Sequence, residues 1–115
     1  MADKYLLDGN TPVKCGDLLE WAAAFETTDV HVADKYISGI RVSTVFLGID
    51  HNFLPGGSPL LFETMIFGGE HDQELWRYAT REEALKGHSE AVDMVFLEIS
   101  KKTNKKGFTE KPVNP

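Results

Sequence analysis

A chain of 115 residues, 42% hydrophobic and 26% charged, has the make-up of one soluble globular core and not of a disordered or fibrous protein. No apolar run approaches the roughly 18 residues of a membrane span. The formal net charge is −6, unevenly spread: residues 101–115 carry five lysines and one acid, residues 1–100 seven basic and seventeen acidic side chains. An acidic body repels phosphate backbones, which excludes general nucleic-acid binding by the body.

In chain order, residues 4–7 read as a short strand stopped by the turn formers Asp8, Gly9, Asn10 and Pro12. Asp17 is placed as the N-cap of a helix over 18–26, with Glu20 three residues on. Its apolar residues Leu18, Leu19, Trp21, Ala22, Ala24 and Phe25 cover most of its circumference, so packing on more than one side is expected. Residues 30–37 and 40–49 are rich in strand formers, and Ser38-Gly39 between them signals a hairpin turn. Strands over 60–67 and 74–79 follow, the first closed by Gly68-Gly69. Thr80 and Glu83 form a capping box at the head of a second helix that runs to about residue 99. In that helix Ala84, Leu85, His88, Ala91, Val92, Val95, Phe96 and Ile99 mark a buried stripe.

This order predicts an α+β fold: an antiparallel sheet of four to five strands with two helices packed on one face. A single domain over residues 1–100 is expected, followed by a Lys-rich flexible tail over 101–115. The first residues, Met-Ala-Asp-Lys-Tyr, lack the apolar segment of a secretory signal. Cys15 is the only cysteine, which rules out an intrachain disulfide and a Cys-based zinc site and suits a reducing cytoplasm.

The main chemical signal is 48-GIDHNFLPGGSPLLFET-64, which places Asp50 and His51 at the end of one apolar run and Glu63 inside the next. The loop between them is longer than a hairpin needs, and excess length in an ordered loop is where binding resides. His31, Asp50, His51, Asn52, Gly56, Gly57 and Ser58 are the expected ligand-binding residues. Asn52, Gly56, Gly57 and Ser58 would supply hydrogen bonds, and Phe53 and Leu54 apolar contact. The plainer alternative is that Phe53 and Leu54 tuck the loop onto the core.

Glu63 shares a face with Leu61, Met65 and Phe67. It is a possible functional carboxylate, a half-buried partner of Arg41 or Arg77, or part of an oligomer-forming face. An antiparallel meander gathers His31, Asp50 and His51 at one sheet edge and puts His71 at the other. One strand apart is too far for a shared metal, so no metal and no cofactor are expected. His88 reads as a hydrogen-bonded core histidine. No nucleophile elbow, P-loop or dinucleotide fingerprint is present, and no catalytic residue is assigned.

The phrases 42-VSTVFLGIDH-51, 59-PLLFETMIFGG-69 and 77-RYATREEALKGH-88, with Leu7-Asp-Gly and Thr11-Pro-Val, resemble a family of small uncharacterised proteins of tailed bacteriophages and prophages. The likeness covers roughly residues 5–93 and departs from the family at Arg81, where members often carry Trp. It implies a phage accessory protein in the host bacterial cytoplasm but no established activity. The functional expectation is a non-enzymatic, homo-oligomeric accessory binding protein without a membrane segment. It would act in counter-defence on a host protein or sequester a small anionic or nucleotide ligand. The alternatives are a small hydrolase using Glu63 or the His31/Asp50/His51 edge, and a minor virion or assembly component.

Overall fold

A computed structural model of the chain describes residues 2–110, with side chains as far as Thr103. The elements run β1 (Lys4–Asp8), β2 (Thr11–Cys15), α1 (Leu18–Glu26), β3 (His31–Ile37), β4 (Ile40–Phe46), β5 (Phe62–Phe67), β6 (Leu75–Tyr78) and α2 (Arg81–Glu110). Strands β3-β4-β5-β6 form an antiparallel meander, and β1-β2 a separate hairpin. The turn between β3 and β4 has positive φ at both Ser38 (48°) and Gly39 (83°). That is the mirror-image turn whose twist matches paired strands.

Alternation within the strands decides which residues form the core. Val42, Thr44 and Phe46 of β4 stand opposite Ile66, Thr64 and Phe62 of β5, and all six are buried on one face. Helix α2 covers that face with Ala84, Ala91 and Val95. Helix α1 reaches it through Phe25, whose ring lies 6.3 Å from that of Phe46. The expected α+β architecture is therefore present, with α2 on one face of the antiparallel meander and α1, packed mainly on the β1-β2 hairpin, reaching the same face through Phe25. Truncating Phe46 or Phe62 to Ala should cost about 3–5 kcal/mol, the usual penalty for emptying such a site.

The caps follow the sequence signals. Asp17 Oδ1 accepts the amides of Leu19 and Glu20. At the head of α2, Thr80 Oγ1 accepts the Glu83 amide and Glu83 Oε1 accepts the Thr80 amide.

Five local expectations are corrected. Residues 11–15 form a strand despite Pro12, because that proline lies in a two-stranded sheet where it stands opposite Leu7. Helix α1 is packed on one side only and has no buried residue; Leu18 and Leu19 face solvent. It is held by the β1-β2 hairpin, where the Trp21 indole N–H donates to the Tyr5 carbonyl at 3.0 Å.

In α2, Leu85 and Phe96 are exposed and Glu98 is buried in their stead. The same helix continues to Glu110, past the end expected near residue 99 and across the expected tail boundary. Its lysines are good helix formers, and the first proline after it is Pro112. Residues 111–115 of the expected tail lie outside the described residues.

Strand β4 also ends three residues early. Gly48 has φ +75° and Phe25 packs against its Cα, so the ladder to β3 stops and β1 takes over. Ile49 bridges to Lys4, the Tyr5 amide donates to the Gly48 carbonyl at 2.8 Å, and the Asp50 amide donates to the Asp3 carbonyl at 2.9 Å. The loop that leads into β5 is thereby fixed at its first end.

Candidate functional site

The loop after β4 is organised by two of its own side chains. Asp50 Oδ1 accepts the Asn52 amide at 2.7 Å and, across the loop, the Leu60 amide at 2.9 Å. Asn52 Oδ1 accepts the Leu54 amide at 3.0 Å, while its amide nitrogen donates to the Ser58 carbonyl at 2.8 Å. Gly57 sits so close to the Asn52 amide that a Cβ there would overlap it. Gly56, with φ +80°, makes the turn next to it.

Asp50, Asn52, Gly56, Gly57 and Ser58 are thus brought together, but to shape the loop. The hydrogen bonds assigned to a ligand at Asn52 and at the Ser58 carbonyl are made within the loop. What the loop presents to solvent is Phe53, 76% exposed, and Leu54, 78% exposed. The alternative in which these two side chains tuck onto the core is set aside by that exposure.

His51 lies beneath them. Its Nδ1 donates to the Ile49 carbonyl at 2.8 Å, which leaves Nε2 as the acceptor, and its ring centroid is 6.1 Å from that of Phe53. His31 is placed elsewhere. It pairs with Val45 in the β3-β4 ladder, and its Nδ1 is 3.1 Å from Asp29 Oδ1. With β1 taking the backbone edge of residues 48–50, no hydrogen bond or ion pair joins His31 to Asp50 or His51 among the described residues.

A cleft of about 500 Å³ lies beside the loop, lined by Asp3, Asp50, Asn52, Phe53 and Leu54, with Ala2 and Pro55 at its margins. Its two carboxylates outnumber the one cation beside them, Lys14, which pairs with Asp3 at 3.2 Å, and the net negative charge disfavours anions.

Glu63 lies on the sheet face away from the helices, where Arg77 stands opposite it in the β5-β6 register; Arg77 Nε donates to Glu63 Oε2 at 3.0 Å. Of the roles open to Glu63, this is the half-buried ion pair with Arg77. On the same face Arg41 makes a two-pronged pair with Asp34, both contacts at 2.9 Å, and its guanidinium stacks between Tyr36 and Phe67. The hydrogen bond from Arg41 holds the Asp34 carboxyl below its ordinary range, and Asp34 raises Arg41 in return.

Between sheet and α2 runs a polar chain. Thr44 Oγ1 bonds His88 Nδ1 at 2.8 Å and also Thr64 Oγ1. Burial pushes His88 below the ordinary histidine value, so its neutral form is favoured, and burial pushes Tyr78 up. Gly87 is what admits Tyr78, since a Cβ there would collide with the phenol. His88 is the hydrogen-bonded core histidine its position on the apolar face of the helix suggested.

The loop between β5 and β6 holds a second cluster of polar groups. Ligand-type atoms of Glu70, His71 and Glu98 all lie within 4.8 Å of one another. The sequence reading missed this cluster because its stripe along α2 took in hydrophobes and His88 but no acid, although Glu98 follows Val95 and Ala91 at helical spacing.

No family model, curated protein or solved structure matches the chain. The class that fold and site define is an α+β protein with a self-ordered loop carrying exposed apolar side chains.

Proposed function

We propose that the chain is a non-enzymatic binding protein whose contact surface is the loop over residues 50–59, with Phe53 and Leu54 as its anchors. The observation that carries this reading is the pairing of two large exposed hydrophobes with a backbone already fixed by Asp50 and Asn52. A solvent-facing apolar pair costs solubility and adds nothing to the core. Pre-ordering the loop removes entropy that binding would otherwise cost.

The acidic cleft favours one of the two ligand classes expected from sequence. Asp3 and Asp50 oppose a small anion or nucleotide, so the partner we propose is a protein with an apolar pocket and a basic rim. On the resemblance to phage-encoded proteins, the setting is the cytoplasm of a bacterial host and the partner a host protein disarmed in counter-defence. The hydrolase alternative has less to rest on, because Glu63 is engaged by Arg77 and His31 stands apart from Asp50 and His51. The virion alternative is separated by mass spectrometry of purified particles.

Self-association is proposed through the sheet face that the helices leave uncovered, where Tyr36, Phe67 and Leu75 are exposed around the Arg41 stack. Native mass spectrometry of the wild type and of a Tyr36→Ser/Phe67→Ser variant reads it. A lower subunit count in the variant supports the face; a monomeric wild type removes it.

The test of binding is a host-lysate capture with the wild type and with Phe53→Ala/Leu54→Ala, followed by calorimetry on the partner identified. The variant should keep its stability within about 0.5 kcal/mol, as exposed positions do, and lose the partner. Equal capture by a folded variant would sink the reading.

A further inference from the structure

The loop after β5 lies a strand's length, roughly 20 Å at about 3.3 Å per residue, from the proposed binding loop, and its side chains serve a separate purpose. Glu98 is the most deeply buried ionisable group among the described residues, with its side chain 1% exposed. Its Oε2 is well supplied: Lys102 Nζ donates at 2.9 Å and the Glu70 amide at 3.1 Å. Its Oε1 is buried with no hydrogen-bond partner. A carboxylate oxygen desolvated and left unmet is costly, and such atoms call for an explanation.

The surroundings of the carboxylate supply one. Glu70 and His71 place ligand-type atoms within 4.8 Å of the Glu98 carboxylate and of each other. The His71 ring is already oriented as metal-binding imidazoles are: Nδ1 lies 2.7 Å from Glu74 Oε2, so it carries the hydrogen and Nε2 keeps a lone pair. Nε2 points to the cluster, 3.7 Å from Glu70 Oε1. Gly69 completes the arrangement. It turns the chain over the Glu98 carboxylate with φ +72°, and a Cβ at that position would stand 2.7 Å from Glu98 Oε2 and from Ile40 Cδ1.

We propose that Glu70, His71 and Glu98 form a binding site for a divalent transition-metal ion, with Glu74 as the positioning residue of the imidazole. One imidazole nitrogen and two carboxylate oxygens suit Zn²⁺, Co²⁺ or Mn²⁺; they offer too few oxygens for Ca²⁺, and Mg²⁺, a hard ion that prefers oxygen and water, gains little from the imidazole. Ligands around a tetrahedral Zn²⁺ stand about 3.4 Å apart, and the exposed Glu70 side chain can close that distance by a change of rotamer. Three protein ligands leave a coordination position for water or for a group of another molecule. The ammonium of Lys102 and the ion compete for the same carboxylate, and Lys102, most of whose side chain is exposed, is free to swing away. The bound ion would clip the β5-β6 loop to α2, a role apart from partner binding at residues 50–59.

The full chain, purified without an affinity tag and stripped with chelator, is titrated with ZnCl₂, MnCl₂ and MgCl₂ by calorimetry, with circular dichroism as a check on folding. One Zn²⁺ per chain is expected, bound at least tenfold more tightly than Mn²⁺ and without measurable Mg²⁺ binding. His71→Ala and Glu98→Gln should each weaken Zn²⁺ at least tenfold, and Glu74→Gln about tenfold. Lys102→Met should tighten it severalfold, a gain that no merely destabilised protein shows and that keeps the test decisive if Glu98→Gln fails to fold. His51→Ala should bind as the wild type does. Absence of saturable Zn²⁺ binding, binding unchanged in His71→Ala, weaker binding in Lys102→Met, or loss of binding in His51→Ala would each overturn the proposal.

Discussion

Before β5, the Asp50 carboxylate ties together the two ends of its own loop and leaves Phe53 and Leu54 facing water. After β5, Asp72 Oδ1 accepts the Gly68 amide at 2.7 Å and the loop turns inward, over the Glu98 carboxylate of α2. The two loops use the same device, an aspartate accepting backbone amides, and differ in what they lean on. The first is ordered chiefly by its own side chains and turns its apolar residues to solvent. The second is ordered by the helix. A carboxylate near a glycine in a loop is therefore no sign of a site until it is known where the rest of the loop is anchored.

That contrast sets the order of expected losses. Outside the core aromatics, Gly69→Ala should cost most, about 2–3 kcal/mol in urea unfolding, because the added methyl meets Glu98 and Ile40 in a backbone conformation that only glycine adopts freely. A loss below that of Asp50→Ala would mean that the second loop does not lean on α2 as described.

Thr44→Val should follow at about 2 kcal/mol, since it leaves buried partners on both sides of the polar chain, His88 and Thr64, short of a hydrogen bond. The same chain predicts a pH dependence. His88 is depressed in the folded state chiefly by burial, with the Asp34 charge opposing, so the unfolded chain binds the proton more readily. Stability is then full above the ordinary histidine value and falls as pH drops below about 6.5 toward the folded value. Thermal midpoints between pH 7.5 and 5 should fall in the wild type and fall less in His88→Gln.

Asp50→Ala should cost about 1–2 kcal/mol, as two amides lose an acceptor but are near enough to solvent to recover water. Unlike Gly69→Ala it should also reduce partner capture, because the loop then has to be ordered on binding. Equal capture would show that the order of the loop is irrelevant to recognition. The smallest loss, within about 0.5 kcal/mol, belongs to Phe53→Ala and Leu54→Ala.

Much of the fold is legible in the sequence where local chemistry and tertiary structure agree. Ser38-Gly39 makes its hairpin, Asp17 and Thr80-x-x-Glu83 cap their helices, and the alternation of residues 40–46 gives the buried face of β4. The misses arise where they part. Residues 11–15 have little strand pattern of their own and pair because β1 is beside them. The apolar girth of α1 suggests a buried helix, yet only Trp21, Ala24 and Phe25 are shielded, because a two-stranded hairpin offers one narrow surface.

At the candidate site, the length of the loop and the identity of its exposed hydrophobes are legible. The role of Asp50 and Asn52 is not, since a polar side chain that binds a ligand and one that binds its own backbone look the same in sequence. Glu98 is the harder case. It falls on the buried stripe by spacing, but nothing local says that Gly69 and Lys102 will meet it there.

The register shift in β3 between His31 and Ala33 bears on how copies of the molecule can meet. Strand β3 is one edge of the meander, and an unprotected edge is a template onto which a strand of a neighbouring chain can add without limit. The bulge breaks the regular row of donors and acceptors, exposed Lys35 adds a charge that an incoming strand would have to desolvate, and the opposite edge, β6, is only four residues long. Edge-to-edge growth into fibrils is thus discouraged at both ends of the sheet. The self-association proposed above would then rest on side chains of a face, where a closed and finite assembly can form.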